Sequence, residues 1–309
     1  MGIFSALREN SINWFNQAAL LKSQREGLKK FGNGFSRQRL ACKVIVLLNN
    51  SFNNTLALIE KRKNRMENLL QETTVKTENK RFDQALMWAK LSMDALIMNQ
   101  VTKGIFAGLP WFNNYWGRDS FISLAGATLV TGKFEEAKMI LTSFAAYQET
   151  DDKSKNYGRI PNIVTTTHKS YNTADGTPRF VLAALDYFKY SGDNKFVKDI
   201  FPVIERSISG TLKYHSDKNY FLIHEDAETW MDAVGPDGPW SPRGNRANDI
   251  QSLWYQQLIS GAEFAKILGK SKLQDKWTKI AEKLQMNFGK EFVSPEQNLI
   301  QIQLYCKLT

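Results

Sequence analysis

The stretch TPRFVLAALDYFKYSGDNKFVKDIFPVIERSISGTLKY, Thr177 to Tyr214, reads as two helices joined by a tight turn. The first runs from Thr177 to Tyr190 and is closed by Gly192; the second runs from Lys195 to Tyr214. Working outward, the same unit recurs. Upstream, Asp119-Ser120 are good N-cap residues for a helix that stops at Gly132, and Glu135 to Tyr147 makes its partner. Downstream, Asp249 to Leu268 and Ser271 to Phe288 flank Gly269-Lys270. A helix from about Asp83 to Val101 turns Leu86, Ala89, Met93, Leu96 and Ile97 inward. From residue 81 onward this gives seven helices of ordinary length. Further upstream, Leu56, Ile59, Met66, Leu69 and Leu70 keep helical spacing opposite Lys61, Arg62, Lys63 and Arg65. A helix is also expected over Ile12 to Phe31.

The connections alternate in character. Gly132-Lys133, Ser191-Gly192-Asp193 and Gly269-Lys270 are tight, whereas Thr102–Arg118, Thr150–Ala174 and Asp217–Asn248 are long and hold most of the Trp, Pro and Gly. Long loops without secondary structure usually carry function. Helix pairs with short turns at one end and decorated loops at the other predict an all-α fold, an (α/α)6 toroid with the long loops on its working face. The expected organisation is a basic N-terminal segment over 1–80 and a partial barrel over 81–309.

The charge agrees with that division. The formal +10 of the 309 residues sits mostly in residues 1–80, with 14 Lys/Arg against 6 Asp/Glu, while 81–309 hold 27 against 25. Nucleic-acid binding rests on that basic segment alone, and no known nucleic-acid motif accompanies it. Cys42 and Cys306 supply neither a disulfide framework nor metal-ligand spacing, so a reduced, cytoplasmic setting is expected. The N-terminus lacks an apolar h-region, and Asn49-Asn50 and Asn53-Asn54 interrupt the longest apolar stretch, Val44–Ile59. Neither a secretory signal nor a membrane association is expected, and no cofactor or metal.

Three loops hold the residues suited to chemistry. The first places Trp111, Phe112 and Trp116 ahead of Arg118-Asp119 at a helix start. Sugar rings present apolar C–H faces and hydroxyl edges, so a site for them combines aromatic platforms with planar charged partners. The same residues also suit core aromatics, an N-cap and its ion pair. The second loop offers Asn172 and Asp175, as hydroxyl ligands or as turn and capping residues. The third, His224 to Arg243, carries Glu225, Asp226, Glu228 and Asp232 interrupted by Trp230 and Met231. Carboxyl groups beside apolar side chains have raised pKa values, as a general acid at neutral pH requires. The spacing fits no calcium loop, and His224 has no triad context.

Taken together, the blocks resemble the glycogen-debranching amylo-α-1,6-glucosidase family over roughly residues 80–290. The resemblance rests on Trp111-Phe112-x-x-x-Trp116-Gly117-Arg118-Asp119-Ser120-Phe121-Ile122-Ser123-Leu124, Thr131-Gly132-Lys133-x-x-Glu136-Ala137 and Gly158-x-Ile160-Pro161-Asn162. It continues in Tyr171-Asn172-x-x-Asp175, Thr229-Trp230-Met231-Asp232-Ala233, Ser241-Pro242-Arg243-Gly244 and Asp249-Ile250-Gln251-Ser252-Leu253-Trp254-Tyr255, where the family usually has Glu in place of Asp249. It implies the six-hairpin (α/α)6 glycosidase fold related to glucoamylases. It also implies inverting hydrolysis of α-1,6-linked glucose in glycogen or limit dextrin. Asp232 would be the general acid, with Glu228 as the fallback. Arg118 and Asp119 would grip the terminal glucose and Trp116 would line its pocket. Trp111, Phe112, Asn172, Asp175, Trp230, Arg243, Asp249 and Trp254 complete the implied binding residues.

Inversion also needs a base roughly 6.5–9.5 Å from the acid. In the family that base lies C-terminal of these blocks, and the chain ends at Thr309 after seven of the twelve helices of a closed barrel. The expectation is therefore a fragment, truncated before the base, with a branched α-glucan as partner and a complementary C-terminal chain as a second. The alternative is a non-catalytic carbohydrate-binding remnant, or half of a split enzyme.

Overall fold

The computed structural model describes residues 54–99, 102–165, 168–294, 299–300 and 303–304. The helix expected over Ile12 to Phe31 lies outside them, as do Cys42 and Cys306. The chain divides into two compact units, residues 1–96 with 108–113, and residues 97–107 with 114–309.

The described part of the first unit has two helices, α1 (Thr55–Gln71) and α2 (Lys80–Leu96). Its buried residues are few, Leu69 on α1 and Asp94 on α2. Asp94 receives Arg65 through a two-pronged ion pair, Nη2 to Oδ1 at 2.7 Å. The basic face Lys61–Lys63 is exposed.

Strands β1 (Ile97–Asn99), β2 (Lys103–Gly108), β3 (Phe112–Trp116), β4 (Ile163–Val164) and β5 (Lys169–Ser170) form a small antiparallel sheet, ordered as numbered; its residues belong to the second unit except Gly108, Phe112 and Asn113. Two expectations are corrected here. The helix drawn to Val101 stops at Leu96, and the Thr102–Arg118 connection is a strand pair rather than a loop. The physical reasons are local. Leu96-Ile97-Met98 is continuously apolar and offers no stop signal. In β2, Gly104, Ile105 and Phe106 are all buried, so the strand lacks the alternation that marks a half-buried one.

The remaining helices are α3 (Gly117–Ala127), α4 (Phe134–Ala145), α5 (Gly176–Ser191), α6 (Asn194–Tyr214), α7 (Asn248–Ile267) and α8 (Ser271–Glu291). With α2 these are the seven helices expected after residue 81. The six helices of the second unit, α3 to α8, form two layers. In one, α3 packs on α5 and α5 on α7, while α4 packs on α5 and α6, α6 on α5 and α7, and α8 on α7. Burial follows the layers. α5 buries Gly176, Thr177, Pro178, Phe180, Val181, Ala183, Ala184, Leu185 and Tyr187, almost all round. α4 buries only Ala137, Ile140, Leu141 and Phe144, and α8 only Trp277, Ile280, Ala281 and Leu284. Each of those sets is an i, i+3, i+4, i+7 stripe, the pattern of a helix with one covered face. Close approach of the layers depends on Gly261 of α7, where a Cβ would stand 2.3 Å from Ile208 Cδ1 and 3.2 Å from Trp277 Cε3. Phe121 of α3 meets Phe144 of α4 and Phe180 of α5 edge-on, at 4.9 and 5.4 Å between centroids.

The Ser191–Asp193 turn is a working joint. Asp193 caps α6 by accepting the Phe196 N–H at 2.9 Å, and it receives Lys138 at 2.6 Å. The Lys138 hydrogen bond and the Phe196 amide hold its pKa down at about 2. The architecture is the six-hairpin (α/α)6 type, with inner helices α3, α5 and α7 alternating in sequence with outer ones. Among the described residues no helix is long and apolar enough to cross a membrane.

Candidate active site

The inner helices all begin where a long connection ends: α3 at Gly117, α5 at Gly176 and α7 at Asn248. An inner-helix N-terminus presents unpaired N–H groups and a partial positive charge, which favour carboxylates there. The chain places Asp119 in the first turn of α3, Asp175 at the N-cap of α5 and Asp249 in the first turn of α7.

The first connection is fixed to the second by backbone. Trp116 at the end of β3 pairs with Ile163 of β4, and the Gly117 N–H donates to the Asn162 carbonyl at 2.6 Å. Gly117 allows this approach: a Cβ there would stand 2.6 Å from the Pro161 carbonyl oxygen. The Asn162 side chain is wholly buried, and its Oδ1 accepts the Arg118 N–H at 3.1 Å.

Arg118 is the hub. Its Nε donates to Asp175 Oδ2 at 2.7 Å, its Nη1 to Asp232 Oδ2 at 2.8 Å and its Nη2 to the Thr229 carbonyl at 2.8 Å. One guanidinium thus joins the first, second and third connections, using the fixed fork that only arginine has. Burial works against its charge, but the hydrogen bonds and charges of Asp175 and Asp232 prevail and hold its pKa above the usual value. Asp175 is buried beneath it, whereas a third of the Asp232 side chain, 33%, is open. Asp119 is half-buried next to this pair. Burial, with Asp175 and Asp232 adding to it, raises its pKa against the opposing pull of its own backbone and Arg118.

The third connection is braced twice more. Arg159 holds Glu228 with Nη1 to Oε1 at 2.7 Å and Nη2 to Oε2 at 3.3 Å, while Nη1 also reaches the Tyr171 carbonyl at 2.8 Å. Burial pushes Glu228 up, but Arg159, the Glu225 N–H and His215 outweigh it and leave its pKa lowered. His215 donates from Nε2 to the Lys155 carbonyl at 2.7 Å and presents Nδ1 to Arg159 at 3.4 Å. Burial, then the Arg159 charge, lower its pKa to about 4. On the far side, Arg243 donates to Asp249 Oδ1 at 2.8 Å and to Met231 Sδ at 3.3 Å. His224 is buried and satisfied. Its Nε2 accepts the Ala247 N–H at 2.8 Å, so Nδ1 carries the proton that meets the Glu225 carbonyl at 2.9 Å.

Of the residues singled out from sequence, Arg118, Asp119, Asp175 and Asp232 come together, and Trp116 caps α3 beside them. Arg243 and Asp249 pair with each other. Trp230 is exposed and Asn172 accepts the Ser170 hydroxyl at the surface. Trp254 has no surface to offer a substrate: it is fully buried in α7, its indole N–H donating to the Tyr220 carbonyl at 3.0 Å. Trp111 and Phe112 belong to the first unit and are exposed. Asn162 closes one of the motif blocks but was given no role from sequence, and Arg159 was not singled out at all. The signal for Arg159 was a charged residue inside the otherwise apolar Gly158-Arg159-Ile160-Pro161 turn.

Comparison with known proteins agrees with this picture. The family model described as amylo-alpha-1,6-glucosidase matches residues 54–306. Glycogen debranching enzyme of Saccharomyces cerevisiae is 26% identical over 289 residues, covering 68% of this chain and 18% of that protein. The chain thus spans under a fifth of that curated relative. Among solved structures, a GH78 family rhamnosidase of Bacillus sp. GL1 superposes with a TM-score of 0.52 at 15% identity, over 67% of this chain and 20% of that one. A rhamnosidase from Klebsiella oxytoca with rhamnose bound gives 0.53 at 13% identity, over 72% and 41%. At these identities the likeness is one of fold.

Proposed function

The chain belongs to the amylo-alpha-1,6-glucosidase family, and from that premise we propose that it carries the glycone-binding and acid side of an inverting α-1,6-glucosidase site. The substrate is a glucose joined by an α-1,6 bond to a branched α-glucan such as glycogen or limit dextrin. The observation that carries the reading is the three-way bond of Arg118 to Asp175, Asp232 and the Thr229 carbonyl. It gathers motif blocks from three connections around one partly open carboxylate.

In this reading Asp232 protonates the leaving glycosidic oxygen. Glu228 is poorly suited to that step, because Arg159 engages both its oxygens and its pKa is lowered. Asp119, whose pKa is raised, accepts or donates a hydrogen bond to a hydroxyl of the terminal glucose. The family resemblance puts the water-activating base C-terminal of the blocks gathered here. The setting is cytoplasmic, in keeping with the two widely separated cysteines.

A second reading is a carbohydrate-binding half that works with a complementary chain. Glucose release from a branched limit dextrin, measured with the unmodified chain and with Asp232→Asn, tests the first. Release that depends on Asp232 supports it. Release that survives the substitution removes Asp232 from its role.

A further inference from the structure

Resting on that reading, we propose that Trp240 forms, with Trp230, an aromatic platform for the leaving-group side of a branched α-glucan chain. The two indoles lie in sequence on either side of Asp232 and are strongly exposed, 73% for Trp240 and 59% for Trp230. Immediately after Asp232 the chain makes a small hairpin, β6 (Val234–Gly235) and β7 (Gly238–Pro239), which returns Trp240 alongside Ala233. The Trp240 N–H donates to the Ala233 carbonyl at 2.9 Å, so the backbone carrying the indole is tied to the residue next to the acid.

The indole itself is seated. Its Nε1, Cε2 and Cζ2 lie 2.5, 2.8 and 3.1 Å from the position a Cβ on Gly235 would occupy. Only a glycine leaves room for the ring there. A rigid aromatic held on one side and open on the other offers contact area at small entropic cost. Direction follows from the site's depth. Arg118 and Asp175 close the inner side of Asp232, with side chains 10% and 1% exposed. With Asp119 bonded to the terminal glucose, as the proposed function has it, the sugars beyond the scissile oxygen run outward past the exposed indoles.

The chemistry favours a glucan over an apolar protein partner. Exposed Asp237 stands in the hairpin between the two tryptophans, and Asp232 remains one-third open. Apolar faces interleaved with carboxylate acceptors match the faces and hydroxyls of sugar rings. A protein patch seated there would bury those carboxylates without partners.

The test is native gel electrophoresis of the full chain through gels containing increasing glycogen, a readout independent of turnover. The unmodified chain is retarded. Trp240→Ala weakens the apparent affinity about ten-fold, the scale of one aromatic contact, while Trp240→Phe keeps most of it. Gly235→Ala, which displaces the indole without removing it, weakens retardation in the same direction. Circular dichroism confirms that each variant folds. Trp240→Ala retarded as strongly as the parent overturns the platform and leaves the proposed activity standing. An unmodified chain that glycogen does not retard overturns the platform too, and product formation that depends on Asp232 then reports on the activity separately.

Discussion

Arg118 and Asp232 are 114 positions apart in the chain and 2.8 Å apart in the fold, Nη1 to Oδ2. The same guanidinium spends its other two directions on buried Asp175 and on the Thr229 carbonyl. The orientation of the candidate acid is thus coupled to the N-terminus of α5 through one side chain.

Replacing Arg118 by Lys keeps the charge and loses the fork. An ammonium cannot serve three partners in three directions, and buried Asp175 is left with a weaker partner. The expected loss of stability is about 2–4 kcal/mol, read as a lowered urea midpoint at unchanged slope. Stability within about 0.5 kcal/mol of the parent would mean that the three bonds are not acting as a brace.

The Arg159–Glu228 pair is expected to behave as a buried ion pair whose halves depend on each other. Arg159→Met or Glu228→Leu alone costs about 3–5 kcal/mol, because each strands a buried charge, while the double substitution costs much less. A double-mutant cycle by denaturant unfolding measures this coupling. Additive single effects would contradict it.

His215 gives the fold a pH dependence with a defined sign. Its pKa is lowered from 6.5 to about 4 in the folded protein. Above pH 6.5 it is neutral in both states and contributes nothing. As pH falls from 6.5 to 4, the unfolded chain takes up a proton that the folded chain refuses. Stability therefore declines across that window, by up to about 3 kcal/mol. His215→Gln keeps a donor for the Lys155 carbonyl but cannot titrate. Urea midpoints of this variant between pH 7 and 4 should decline less steeply; an unchanged slope would exclude His215 as the source.

The helices were legible because their faces differ. Ala137, Ile140, Leu141 and Phe144 form a stripe that a periodicity reading finds without tertiary context. The strands were not legible. Gly104, Ile105 and Phe106 are buried together, and the run from Leu96 into β1 has no break. The candidate site was legible through its arginine, carboxylates and aromatics in short blocks. Its bracing was not, since Arg159 meets Glu228 across 69 positions and nothing local to either names the other. Trp254 shows the converse: an aromatic inside a motif block that serves the core of α7.

The central claim is that Asp232 is the acid of an inverting site whose base lies elsewhere. The most direct measurement supplies a nucleophile that needs no base to activate it. The chain is incubated with branched limit dextrin and azide, and the products are resolved by proton NMR. Azide attacks the anomeric carbon from the face opposite the glycosidic oxygen, and Asp232 gives its proton to that oxygen as it leaves. The account predicts β-glucosyl azide from the unmodified chain and a loss of about a hundred-fold or more in Asp232→Asn. Glucosyl azide of the α configuration, an equal rate in Asp232→Asn, or no product from the unmodified chain would contradict it.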